Sequence, residues 1–144
     1  MKKKKRVKLL SLKRLQARAD RLWSRMILKD GVDRDNRLGP TCKVCGMKPA
    51  VSAHHIFHKG SHGRARYDRR NGLPICTGCH LRERFDPTPV VVCAIAYQNK
   101  FFTLAAEISV KRGPHRWTRD RLNCVIIAME TILEVPDAAD STAR

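Results

Sequence analysis

The sequence predicts an α+β fold: a small metal-braced centre containing few strands, flanked by α-helices. Three observations point there. Two Cys-x-x-Cys pairs, Cys42/Cys45 and Cys76/Cys79, bracket a block rich in Cys, His, Gly and Arg and poor in large apolar residues. On either side lie stretches whose apolar residues recur at helical spacing. The chain has 144 residues, 42% of them hydrophobic, enough for one modest core.

Residues 1–29 read as a basic arm running into a helix. Eleven Lys and Arg fall in the first 25 residues, and Asp20 is the only acid among them. Leu12, Leu15, Leu22, Trp23, Met26 and Ile27 share one helical face, so the second half of this stretch can pack on a core. The first six residues are expected to lack order without a ligand. Gly31 to Pro40 is a polar loop closed by Gly39-Pro40. The block at 41–86 cannot hold itself together by apolar burial alone and needs a metal. Residues 88–135 form a helical part. Its first segment, 88–111, opens on Thr88 as N-cap with Pro89 in the first turn, and Gly113-Pro114 stops it. The Val90-Val91-Val92 run alone would also suit a strand. Its second segment, 118–134, is the clearest helix. Thr118 caps it, Asp120 sits in its first turn, and Leu122, Val125, Ile126, Met129, Ile132 and Leu133 follow an i, i+3, i+4 stripe. The tail at 136–144 is short and polar and expected to fray.

Lys and Arg number 30 against 13 Asp and Glu, a formal net charge of +17. Such a surplus attracts phosphate backbones by releasing condensed counterions, whatever the base sequence, so the partner is expected to be nucleic acid. No apolar run approaches the ~20 residues that span a bilayer, which excludes a membrane-spanning helix. Met1 to Arg6 could begin a signal peptide, but Lys8 and Lys13 interrupt the only apolar run nearby. The expected location is therefore the cytoplasm, where six cysteines are expected to be thiols rather than disulfides. Cys93 and Cys124 stand alone in apolar stretches and read as small buried hydrophobes.

The paired cysteines place four thiolates in two tight knuckles, which suits the tetrahedral all-sulfur shell of Zn2+. Gly46 and Gly78 favour the turns. Thirty residues separate Cys45 from Cys76, so something is folded between the knuckles. A four-cysteine site has no open position, and this zinc is expected to be structural. A pair of redox dithiols is the weaker alternative, because no βαβ pattern surrounds either pair.

Beside the knuckles lie Ala53-His54-His55-Ile56-Phe57, then Arg70-Asn71-Gly72-Leu73-Pro74-Ile75, then Cys79-His80. This pattern resembles the HNH endonucleases, in the variant whose ββα-metal core is braced by a four-cysteine zinc. The resemblance covers residues 41–86. Arg66-Tyr67-Asp68 followed by Asn71, with Trp23 upstream, is more loosely similar to phage recombination nucleases of the NinG/Rap kind, which would place the protein in a bacterial host cell. The resemblance implies that His54 is a metal ligand, His55 the general base, His80 the second metal ligand, and Asn71 a non-ligating residue that hydrogen-bonds across the ββ loop and holds the base. Glu83, three residues after His80 on the same helical face, could add a third ligand; its other reading is a solvated charge beside Arg82 and Arg84. Many members have Asp where His54 stands. A neutral ligand makes the site softer and less anionic, which favours Mn2+, Ni2+ or Zn2+ over Mg2+ as the catalytic ion. Phosphodiester hydrolysis needs a base for water and a cation for the charge on phosphate and leaving oxygen, and these residue types supply both. His58 and His62 read as ordinary loop histidines, and His115 as a local contact near a helix start.

Lys59, Arg64, Arg66, Arg69 and Arg70 cluster between the expected base and Asn71. Arg64 and Arg66 alternate and could project from one side of a hairpin onto the DNA backbone, while Asp68 pairs with one of the arginines. Contacts of this kind position DNA without reading bases. The leading expectation is a metal-dependent DNA endonuclease acting in phage or prophage DNA recombination or processing, as monomer or homodimer, with no membrane partner. A non-catalytic zinc-containing module that binds DNA or RNA is the alternative. A ribosome-associated zinc protein would explain the charge and the cysteines but not the histidines and Asn71.

Overall fold

The computed structural model describes residues 10–32, 39–97, 100–110 and 115–134. The first nine residues of the arm, the middle of the loop after Gly31 and the tail lie outside the described residues. The architecture is mixed α and β. A long helix, α1 (Leu12–Asp30), precedes a two-stranded antiparallel sheet of β1 (Ser52–His55) and β2 (Gly72–Ile75). Four helices follow: α2 (Thr77–Glu83), α3 (Thr88–Tyr97), α4 (Phe101–Val110) and α5 (Arg119–Glu134).

The Ser11 hydroxyl caps α1 by accepting from the Arg14 N–H, and Leu15, Ala19, Leu22, Trp23, Met26 and Ile27 form its buried stripe. That stripe meets Leu122, Ile126 and Met129 of α5 and Tyr67 from the loop between the strands. At the start of α5 the Thr118 hydroxyl accepts from Arg121 N–H, as its sequence suggests. Arg18 and Glu130 pair across α1 and α5 at the surface.

Register explains how one small sheet serves two cores. Ser52 faces Ile75, Ala53 faces Pro74, His54 faces Leu73 and His55 faces Gly72. Opposed residues of an antiparallel pair share a face, and successive residues alternate. The His55/Gly72 and Ala53/Pro74 pairs lie toward α1. A Cβ on Gly72 would overlap the Ile27 side chain, and one on Gly31 would meet Pro74, so both glycines let α1 lie close against β2. The Leu73 and Ile75 side chains point the other way, into a second core with Cys42, Cys76 and Val90.

The stretch expected as one segment over 88–111 is two helices. The polar run Gln98-Asn99-Lys100 stands between them in sequence. Divided, α3 sends Val90 into the second core, while α4 puts Phe101 on Phe57 at 5.5 Å and Glu107 on Arg70. Strand pairing does not include the Val90-Val91-Val92 run, which is helical. No single helix is long and apolar enough to cross a membrane among the described residues.

Candidate functional site

The four paired cysteines converge. Their sulfurs all lie within 4.8 Å of one another, with Cys45 and Cys76 Sγ 4.0 Å apart. A tetrahedral shell with ~2.3 Å metal–sulfur bonds has sulfur–sulfur edges of ~3.8 Å, so the cluster fits a structural metal such as zinc. Local backbone makes the first knuckle ready for it. Cys42 N–H donates to the Lys48 carbonyl, Gly46 N–H to the Cys42 carbonyl, and Gly46 adopts a φ of +66° that a side chain would resist. Backbone N–H groups of Met47 and Lys48 lower the Cys45 pKa to about 6. Burial, and then the neighbouring sulfurs, push Cys79 up to about 12. Four sulfurs this close cannot all ionise without a cation among them, which is the electrostatic signature of a ligand set. None of the six cysteines is in a disulfide.

Strand alternation then separates the adjacent histidines. His54, buried on the second-core face, stands edge-on to His80 of α2 with ring centroids 5.3 Å apart. His80 Nδ1 lies 3.4 Å from the Ser52 hydroxyl on the same face. His55 faces α1, where its ring stacks on Trp23 at 3.8 Å and 11°. No bulge is needed for the two to part. At the end of β1 both faces open on one cavity of about 320 Å³, which also takes in Asp20, His58, Lys59 and His80.

The His55 proton is placed by the main chain. Its Nε2 lies 2.8 Å from the Arg66 carbonyl, which can only accept, so Nε2 carries the hydrogen and Nδ1 keeps its lone pair. Burial lowers the His55 pKa to about 4 against the opposing pull of that carbonyl, so the ring is neutral at pH 7. Burial also lowers His54, with the Glu83 charge acting against it and His80 and His58 reinforcing it.

Asn71, fully buried, fixes the long connection between the strands. Its Oδ1 accepts from Phe57 N–H at 2.7 Å, and its Nδ2 donates to the carbonyls of Phe57 and Ala65 at 3.0 Å. The Ala65 carbonyl is next to Arg66, whose own carbonyl holds His55, so Asn71 sets the position of that acceptor. Trp23 Nε1 donates to the Asp68 carbonyl of the same connection.

The basic residues are arranged differently from the hairpin expected for Arg64 and Arg66. Their segment forms short 3-10 turns at Gly63–Ala65 and Arg69–Asn71. It has too few large apolar residues to pair as a strand, and its N–H groups bond locally, as Ala65 to His62 and Asp68 to Ala65. Arg66 forks onto both carboxylate oxygens of Asp20 at 2.7 and 3.0 Å. Arg70 bridges Asp68 and Glu107, and Arg69 binds Asp30. Lys59 stands 3.8 Å from Asp20 but is half exposed. Arg64 is exposed and has no carboxylate partner among the described residues. These guanidiniums tie the connection to α1 and α4. Burial alone would raise the Asp20 pKa, but the Arg66 hydrogen bond and charge, with Lys59, outweigh it and hold the carboxyl below its usual value.

Glu83 stands on α2 one turn from His80, half buried. Among the described residues, the four cysteines are the only set of three or more Cys, His, Asp or Glu whose ligand atoms converge. Of the solitary thiols, Cys93 packs beside the second core and donates to the Lys43 carbonyl at 2.8 Å. Cys124 is exposed, not buried as its apolar surroundings suggest, because the α5 stripe that faces α1 runs through Leu122, Ile126 and Met129. The sequence placed Trp23 on a core face and Asp20 as a lone acid. Nothing in its spacing showed that the one would carry the His55 ring and the other would anchor Arg66, since both contacts span more than thirty residues.

No family model, curated protein or solved structure matches the chain.

Proposed function

We propose that the protein is a metal-dependent endonuclease of the HNH type that hydrolyses DNA phosphodiester bonds, with zinc on the four cysteines. The observation that carries this reading is the lodging of His55. Its ring is fixed against Trp23, its Nε2–H is committed to the Arg66 carbonyl, and its Nδ1 is left as a neutral imidazole base beside His54 and His80.

The histidines divide the work. His55 Nδ1 accepts a proton from the attacking water as the new oxygen–phosphorus bond forms and the bond to the leaving 3′ oxygen breaks. Fixing the ring spares the loss of its rotational freedom at the moment of reaction. His54 and His80 offer two ring nitrogens for a divalent ion such as Mg2+, Mn2+, Ni2+ or Zn2+, with the Glu83 carboxylate as a third donor. When bound, such an ion supplies charge stabilisation for the phosphate and the leaving oxygen. Asn71 keeps the strand connection, and so the Arg66 carbonyl, where the base needs it. The net charge of +17 supplies attraction to the polyanion. Processing of phage or prophage DNA is the setting we propose for it.

The test is a cleavage assay on linear, nicked and four-way-junction DNA across those four ions, with His55→Ala beside the wild type. Loss of the base should slow cleavage by roughly 10²–10⁴-fold while DNA affinity stays near the wild-type value. Equal cleavage by His55→Ala would remove His55 from the role of base. A wild type that cuts nothing with any ion would favour a DNA- or RNA-binding module instead.

A further inference from the structure

A second cavity lies beside the one that holds the histidine pair. It is a cleft of about 800 Å³ between the strand connection at 59–66 and the segment leading into α5, with Leu12 and Gln16 of α1 and Ile108 of α4 also on its walls. Three features set it apart. None of its lining residues is acidic, while Lys59, Arg64, Arg66 and Arg116 all line it. Arg66 is consumed by Asp20, but Arg64 and Arg116 are exposed and carry no ion pair among the described residues. Its wall is aromatic as well as basic. Trp117 is held by donation from its Nε1 to the Gly63 carbonyl at 2.9 Å, with His115 edge-on at 4.7 Å. The buried His115 Nε2 has no hydrogen-bond partner. Finally, Lys59 lines both this cleft and the His54/His55 cavity, so the two adjoin.

We infer that this cleft holds a single nucleic-acid strand next to the cleaved phosphate, with Arg64 and Arg116 on its phosphates and Trp117 and His115 beside its bases. Size decides between single and double strands. A cleft of about 800 Å³ has room for a few nucleotides of one strand, whereas a duplex, whose major groove alone is ~12 Å wide, can only lie across its mouth. A basic groove interleaved with aromatic rings is how proteins hold single strands without reading sequence, because every base offers a face to stack. The inference rests on the nuclease reading only for the position of the cleaved bond. It narrows the substrate to DNA with an unpaired strand at the cut site, such as a flap, overhang or branch.

The experiment measures binding of the full chain, without added divalent ion, to a single-stranded oligonucleotide, a blunt duplex and the same duplex bearing a single-stranded extension. The wild type is compared with Arg64→Ala/Arg116→Ala. Both side chains are exposed, and unchanged thermal unfolding verifies that the variant is folded. The double variant should lose at least roughly tenfold in affinity for the single strand and the extended duplex. Its plot of log affinity against log salt for the single strand should flatten by about 1.4, since each lost phosphate contact removes ~0.7. The blunt duplex should lose less than about threefold, having no strand in the cleft. Equal losses on all three DNAs, or none on the single strand, would overturn the inference. Because no cleavage is needed, a protein that binds as described but cuts nothing would leave the cleft in place and remove the nuclease reading. A protein that cuts DNA while the double variant binds like wild type would do the reverse.

Discussion

The two faces of the small sheet are held by different physics. On one face, the cysteine cluster sits over Leu73, Ile75 and Val90, a core of few and modest side chains. On the other, α1 and α5 bury Trp23, Met26, Ile27, Leu122 and Met129 against Tyr67, and this core depends on burial. The first is built largely from residues close in sequence to the knuckles; the second requires a helix some thirty residues before the strand it covers. The histidines sit at the junction, one drawing on each side. The cysteine face sets where His54 and His80 stand, and the helical face sets how His55 is oriented.

Removing the metal ligands should break this contrast most severely. Cys79→Ser takes one sulfur from the cluster. We expect loss of bound zinc and destabilisation by several kcal/mol, because structural metal binding is itself folding free energy. Metal analysis and thermal unfolding of the purified variant measure both. A wild type that contains no zinc while its thiols are reduced would show that the cysteine face holds by other means.

Trp23→Ala attacks the opposite face. Trp23 is 1% exposed, and emptying that volume should cost about 3–5 kcal/mol. The variant also removes the ring under His55, so on the proposed nuclease reading cleavage should fall by more than unfolding explains, while metal bound at the cysteines is unchanged. Trp23→Phe keeps a stacked ring and should retain most of the rate. Denaturant titration, metal content and initial rates of the two variants separate packing from positioning. If Trp23→Ala cuts as fast as wild type at a temperature where it is folded, the stack does not position the base.

The smallest effect sharpens the comparison by pH. Asp20 belongs to the helical face, and its folded pKa lies below the 3.8 of a free side chain. A depressed carboxyl stabilises the fold fully above its unfolded pKa, and that stability is lost as pH falls through the folded value. Thermal midpoints of wild type should therefore fall as pH drops below about 4, and Asp20→Asn should show a flatter acid limb from a lower starting point. Parallel acid limbs would mean that the Asp20–Arg66 pair contributes nothing measurable.

How far the sequence reached follows the same division. The knuckles were legible because Cys-x-x-Cys spacing is a local geometric statement. The start of α5 was legible because Thr118 caps it, and the buried faces of α1 and α5 because their apolar stripes keep one period, whereas the cap that Ser11 gives α1 was not read. The α3–α4 break was not read, although the polar run Gln98-Asn99-Lys100 stands between the two helices, because the apolar residues on either side of it carry no clear helical period. At the site, the placement of His54 and His55 on opposite faces follows from strand alternation alone. Which arginines would be occupied did not, because Asp20, Asp30 and Glu107 come from distant turns of the chain. A cluster of basic residues reads as one surface in sequence; in three dimensions Arg66 and Arg70 are half-buried braces, Arg69 is tied to Asp30 at the surface, and Arg64 with Arg116 faces outward.

The bond from His55 to the Arg66 carbonyl has a consequence for how this protein tolerates mutation. Where a side-chain carboxylate orients a histidine, one codon change removes the orienting group. Here the acceptor belongs to the main chain, and every amino acid at position 66 would supply it. No change at residue 66 deletes the acceptor itself, and the tautomer depends instead on what holds the connection in place: the Arg66–Asp20 pair and Asn71, which touches neither ring nitrogen yet whose replacement would let the carbonyl drift and free the proton to move.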